Sequence, residues 1–210
     1  MADTGLMLFL CIAAPLCMML AVFRGKSRTI LGFLLAGVFL CLLAGEINGL
    51  IRQNADLSVR FLTVNVTPIV EEVLKAIPVV YFALVFKPDR QHLLECSVAV
   101  GVGFATLENV CLLVDSPGLL SFGLIAVRGF GAGMMHGVST LAVGYSMTFV
   151  NNDSKLTYTG TVAALSAAII YHSIYNIIVQ SAYPALGILL PIVTYVPLVI
   201  ALRKKRISRK

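Results

Sequence analysis

With 210 residues, 59% of them hydrophobic and only 12% charged, the chain has too little polar surface for a soluble domain. Its net charge of +6 would suit nucleic acid, but no recognition motif accompanies the basic residues, so nucleic acid is not an expected partner. The composition fits an integral membrane protein, in which runs of about 20 apolar residues cross a hydrocarbon core of roughly 30 Å as helices.

Seven such segments are predicted, at about residues 5–23, 29–51, 61–86, 94–114, 119–149, 161–180 and 185–202. The first follows a leader with Asp3 and no Lys or Arg, unlike the basic region that opens a signal peptide. Arg24, Lys26 and Arg28 follow the first segment, Lys87 and Arg90 the third, and Lys155 the fifth. Arg203, Lys204, Lys205, Arg206, Arg209 and Lys210 follow the seventh, whereas the opposite side has only Arg52 and Arg60. That asymmetry places the N-terminus outside and the C-terminus in the cytoplasm. The basic tail is then a topology determinant lying beside anionic lipid. The expected fold is all-α, a polytopic transmembrane bundle of about seven helices. Cys11, Cys17, Cys41, Cys96 and Cys111 form no CxxC pair and read as small apolar filler.

Glu71, Glu72, Glu108, His136 and His172 lie inside four of these segments. A charged side chain there costs roughly 3 kcal/mol or more and marks a functional site. At about 1.5 Å per residue, Glu72 lies about 21 Å from position 86 and Glu108 about 21 Å from position 94. By the same count His136 lies about 20 Å from position 149, and His172 about 17 Å from position 161. Helices of alternating direction thus bring these residues to one layer in the outer half of the bilayer.

The spacing around them adds detail. Lys75 follows Glu71 by four residues and Glu72 by three, so it reaches either carboxylate on one helical face. Pro68 and Pro78 bracket the pair, and Thr67-Pro68 reads as an N-cap with a first-turn proline, where the helix starts or bends. Asn109 follows Glu108, and His172 and Asn176 are an i, i+4 pair. Gly129, Gly133 and Gly137 form a small-residue ridge for close contact, beside which His136 is pressed against a neighbouring helix. Arg128 and Glu46, toward the outer ends of their helices, read as a structural pair or as interfacial anchors.

Two imidazoles and a carboxylate are a recurring catalytic zinc shell with a fourth position for water. On that pattern Glu108, His136 and His172 hold a divalent metal, zinc first among the candidates. Glu71 or Glu72 acts as general base, Lys75 orients the pair, and Asn109 or Asn176 donates to the oxyanion. There is no HExxH helix. The residues alone leave open a metal-assisted or carboxylate-catalysed hydrolase and a proton- or ion-coupled transporter using the same cluster. A scaffold whose buried polar groups only hold helices together is the third reading. No paired broken helices in corresponding halves support the transporter.

Four elements occur in order on successive helices: Glu71-Glu72-x-x-Lys75, Phe104-x-x-x-Glu108-Asn109, an isolated His136, and His172-x-x-x-Asn176. Together they resemble the PrsW family of bacterial intramembrane proteases, relatives of the CAAX-processing and bacteriocin-processing membrane endopeptidases. The resemblance covers roughly residues 68–180. The CAAX-processing branch ends the second element in His where this chain has Glu108, so the PrsW branch matches better and prenylated substrates are not expected. The resemblance implies a multi-pass endopeptidase of the bacterial plasma membrane that cuts membrane-anchored proteins such as anti-sigma factors. Little chain remains outside the apolar segments, so one transmembrane protease domain over residues 1–210 is expected, with its motif-bearing core at about 61–180. The site residues the resemblance implies are Glu71, Glu72, Glu108, His136 and His172, supported by Lys75, Asn109 and Asn176. Family members are grouped as metalloproteases, while related enzymes are described as glutamate-type proteases that use water without a metal, and both chemistries stand.

Overall fold

A computed structural model describes residues 2–115, 122–149 and 154–207 of the protein. Among these every regular element is a helix: α1 (Ala2–Val22), α2 (Gly25–Asn54), α3 (Val59–Phe61), α4 (Thr67–Tyr81), α5 (Arg90–Asp115), α6 (Phe122–Met147), α7 (Ser154–Val179) and α8 (Leu189–Ile207). Hydrocarbon offers no partner for backbone N–H and C=O groups, and a helix satisfies them within one segment. Two π-helical turns, Leu62–Val66 and Phe82–Phe86, join α3 to α4 and extend α4. Residues 59–86 are therefore one rod, and the rods number seven, as the hydropathy pattern predicts. Thr4–Val22, Gly25–Asn54, Arg90–Asp115 and Tyr158–Val179 are each long and apolar enough to cross a bilayer. Positions 119–121 of the fifth predicted segment lie outside the described residues, as do the side chains of Lys155, Arg203, Lys204, Lys205, Arg206, Arg209 and Lys210.

The rod at 59–86 does not begin as Thr67-Pro68 suggests. Thr67 is helical, at φ −53° and ψ −47°, and caps nothing. Its N–H instead reaches back five residues to the Leu62 carbonyl. In that wider register the next carbonyl, Thr63 O, would take the N–H of residue 68, which is proline and has none. Asn176 of α7 fills the gap, donating from Nδ2 to Thr63 O at 2.9 Å. Four residues on, Gln180 Nε2 donates to Thr63 Oγ1 at 3.0 Å. The proline thus produces a wide turn that α7 secures, rather than a helix start.

α5 packs between α2 and α6. A Cβ on Gly37 of α2 would overlap the Val100 carbonyl, and one on Gly103 of α5 the Leu34 carbonyl, so these two helices meet backbone to backbone. On the other side of α5, Gly101 lies against the His136 carbonyl, and Gly144 of α6 against Ser97 Oγ. Close contact therefore does press His136 onto a neighbour, and of the ridge expected at Gly129, Gly133 and Gly137 only Gly137 takes part, its Cα 2.9 Å from where a Cβ on Gly101 would sit. A Cβ at Gly129 or Gly133 would meet no described atom within 4 Å, and one at Gly137 only Val98 and Val102 side chains at 3.9 Å. The four-residue spacing is there, but α6 turns most of it away from α5. Val79, Cys96, Val100 and Val143 fill the interior between α4, α5 and α6, and Val38, Cys41, Phe104 and Leu107 that between α2 and α5. Cys41 and Cys96 are buried free thiols, as their filler role predicts, whereas Cys11 and Cys17 are exposed on α1.

Candidate metal centre

α4, α5, α6 and α7 turn their polar residues toward one another. Glu72 Oε1 receives three groups: Lys75 Nζ at 2.7 Å, His172 Nδ1 at 2.9 Å and Ser139 Oγ at 3.2 Å. Lys75 Nζ also lies 2.7 Å from His136 Nδ1, and sits over the Phe104 ring at 4.9 Å. An ammonium can only donate, so the neutral His136 ring accepts at Nδ1 and donates through Nε2 to Glu108 Oε2, 2.9 Å away. Glu108 Oε1 in turn takes Arg128 Nη2 at 3.3 Å. Glu71, Glu72, Lys75, His136 and His172 are all buried.

The same reasoning fixes His172. Carboxylate Oε1 of Glu72 only accepts, so His172 donates through Nδ1, which in a neutral ring leaves Nε2 with the lone pair. Nε2 faces Glu71 Oε2 at 3.8 Å, beyond hydrogen-bond range. Glu71 Oε2 and Glu72 Oε2 are buried and have no hydrogen-bond partner. One donor atom each from Glu71, His136 and His172 lies within 4.8 Å of the others. The imidazoles are nearly perpendicular, with centroids 4.9 Å apart.

A family model described as PrsW family intramembrane metalloprotease matches residues 25–202, most of the chain. The chain belongs to that family. Among curated proteins and solved structures, none matches the chain. The PrsW family supplies the activity, proteolysis within the membrane, and the expectation of a divalent metal. The donor set fits such an ion: two imidazoles and a carboxylate, buried, mutually close, with an orphaned carboxylate oxygen among them.

Of the residues expected from sequence, the structure brings Glu71, Glu72, Lys75, Glu108, His136 and His172 together in this one region. Glu71 joins the two histidines, while Glu108 touches only His136 among the site residues expected from sequence. Asn176 is occupied with Thr63 O, and Asn109 leaves a buried Oδ1 without a partner. Two contributors escape sequence reading. Ser139, three residues after His136, donates to Glu72 Oε1, and only its place one turn along the same helix hints at it. Arg128 pairs with Glu108. Glu46, the partner expected for it, is exposed and instead lines a cavity of about 350 Å³ between α1, α2 and α5.

Proposed function

We propose that this PrsW-family protease hydrolyses peptide bonds in membrane-anchored protein substrates, of which anti-sigma regulators are the model, in the bacterial plasma membrane. Its N-terminus lies outside and its site in the outer half of the bilayer, on the support of the Lys/Arg asymmetry between connections. Glu71, His136 and His172 hold the metal, which we take to be zinc. When bound, it supplies Lewis-acid polarisation and an activated water at neutral pH. The mutual approach of these three donors to within 4.8 Å is the observation that carries the reading.

Glu72 is the general base of the glutamate pair. Its Oε1 is held by Lys75, His172 and Ser139, which leaves Oε2 as the open oxygen. Oε2 takes the proton from the attacking water as the new C–O bond forms. It returns that proton to the leaving amine nitrogen as the C–N bond breaks. Glu72 also fixes the His172 tautomer, as carboxylates beside metal-binding histidines commonly do. His136 has both nitrogens engaged, and Lys75, a point charge on a flexible stem, is the partner that exchanges when His136 serves as a ligand. Arg128 Nε, buried and unpartnered, is one candidate oxyanion donor, and the Asn109 Nδ2 amide, next in sequence to Glu108, is the other.

The test separates metal binding from proton transfer. Purified wild-type protein in liposomes should cut a membrane-anchored peptide and carry stoichiometric metal. Glu72→Gln should retain the metal and lose about 10²–10⁴-fold in kcat, whereas Glu71→Gln and His172→Ala should lose the metal itself. Undiminished turnover by Glu72→Gln would remove it from the role of base, and full metal content in Glu71→Gln would return Glu108 to the ligand set.

A further inference from the structure

Where the 59–86 rod ends and α5 begins, a second cluster of charge stands apart from the catalytic residues. A cavity of about 200 Å³ is bordered by Lys87, Arg90 and Thr148 against a buried apolar wall of Ala83, Leu93 and Met147. Lys87 adopts left-handed backbone, φ 44° and ψ 54°, and no other described non-glycine residue has positive φ. That turn puts its side chain and that of Arg90 on the same cavity.

Among the described residues no carboxylate lies within ion-pair distance of Lys87 or Arg90. Arg90 Nε is buried without a hydrogen-bond partner, and its guanidinium is held over the Tyr145 ring at 5.1 Å. The acids nearest in the described chain, Asp89 and Glu95, are already committed. Asp89 takes Lys26 Nζ at 2.5 Å and the His92 N–H at 3.0 Å. Glu95 takes Gln91 Nε2 at 2.7 Å and lies 4.0 Å from His92 Nδ1. Two cations with no acidic partner among the described residues, on one concavity, attract an anion with several acceptor oxygens. Immediately beside them Val85 and Phe86 are more than half exposed at the end of a membrane-length rod.

We propose that this cavity binds the phosphate of an anionic phospholipid. Lys87 and Arg90 hold the headgroup, and the acyl chains lie along Val85 and Phe86. The apolar surface next to the cations favours a lipid over a free phosphate. The site is separate from the basic tail, and lipid held here would pin the junction between α5 and the rod that carries Glu71 and Glu72.

The test uses the full chain in phosphatidylcholine nanodiscs with and without phosphatidylglycerol, read by native mass spectrometry and by melting temperature. Wild-type protein should retain phosphatidylglycerol and melt higher in its presence. The Lys87→Gln/Arg90→Gln variant should retain about tenfold less and lose the melting shift. Lys87→Glu, at an exposed side chain whose loss leaves the packing intact, should do the same if the double variant folds poorly. Equal retention by wild type and both variants overturns the proposal, as does loss that follows only neutralisation of Lys204 and Lys205. Stabilisation by inorganic phosphate that phosphatidylglycerol does not match overturns the choice of a lipid.

Discussion

Glu72 Oε1 gathers a lysine from its own helix, a histidine from α7 and a serine from α6, so one oxygen ties three rods together. Lys75 and Glu72 are both essentially inaccessible to solvent, and truncating one partner of such a pair leaves the other as an uncompensated buried charge. Glu72→Ala should therefore destabilise the protein by about 3–5 kcal/mol. Glu72→Gln/Lys75→Met, which removes both charges and keeps the volume, should recover most of that stability in a denaturant melt while leaving proteolysis abolished. A double variant no more stable than Glu72→Ala would mean that the ion pair is not what the site's folding depends on. The motif Glu71-Glu72-x-x-Lys75 made this pair legible, because i, i+3 and i, i+4 contacts depend on one helix alone. Ser139 and Arg128 were not legible in the same way. Their partners lie on other helices, and which face of α6 meets α4 or α5 depends on rotations that no local spacing encodes.

The rod formed by residues 59–86 shows how an element's irregularity can be legible in place but not in form. Pro68 marks the position of the disturbance, yet the sequence around it suggests a capped start, and the chain instead widens into a π turn held from α7. If Asn176 serves mainly as the donor that Pro68 cannot supply, Asn176→Ala should cost about 1–3 kcal/mol by leaving Thr63 O unpaired in an apolar setting. Pro68→Ala restores an N–H at that position, so Asn176→Ala/Pro68→Ala should be more stable than Asn176→Ala alone. Additive losses would show that Asn176 acts elsewhere, for instance on the oxyanion. The connection at the far end of the rod responds to pH. Lys26, and after it the His92 N–H, hold the Asp89 carboxyl below the usual carboxylate range. A carboxyl lowered in the folded state stabilises above its unfolded value of about 3.9 and loses that contribution as pH falls through the lowered value. Both side chains are more than half exposed, so the effect stays below about 1 kcal/mol. The melting temperature of wild type should exceed that of Asp89→Asn by a constant margin above about pH 5, and the two should converge in stronger acid.

At the scale of the molecule, the apolar runs sufficed to count the rods, because span length is set by bilayer thickness rather than by packing. Depth counting sufficed to put five costly residues in one layer, since it needs only helical rise and alternating direction. It could not say which carboxylate meets the histidines, because depth fixes height and not azimuth. Gly37, Gly101 and Gly103 let α5 approach α2 and α6 backbone to backbone, and that approach decides the azimuth. The consequence is that the three donors proposed for the metal come from three rods, Glu71 on α4, His136 on α6 and His172 on α7, so an ion bound there would cross-link the bundle. Binding to the folded state alone stabilises by about 2.7 kcal/mol at a hundredfold excess over the dissociation constant. Titrating zinc into chelator-treated protein should therefore raise its melting temperature in step with recovered proteolysis, and His172→Ala should show neither response. Arg128→Ala, which leaves all three donors in place but releases Glu108 from its clamp, should keep the zinc-dependent melting shift while turning over more slowly. Loss of that shift in Arg128→Ala would move Glu108 from a supporting position to a ligand.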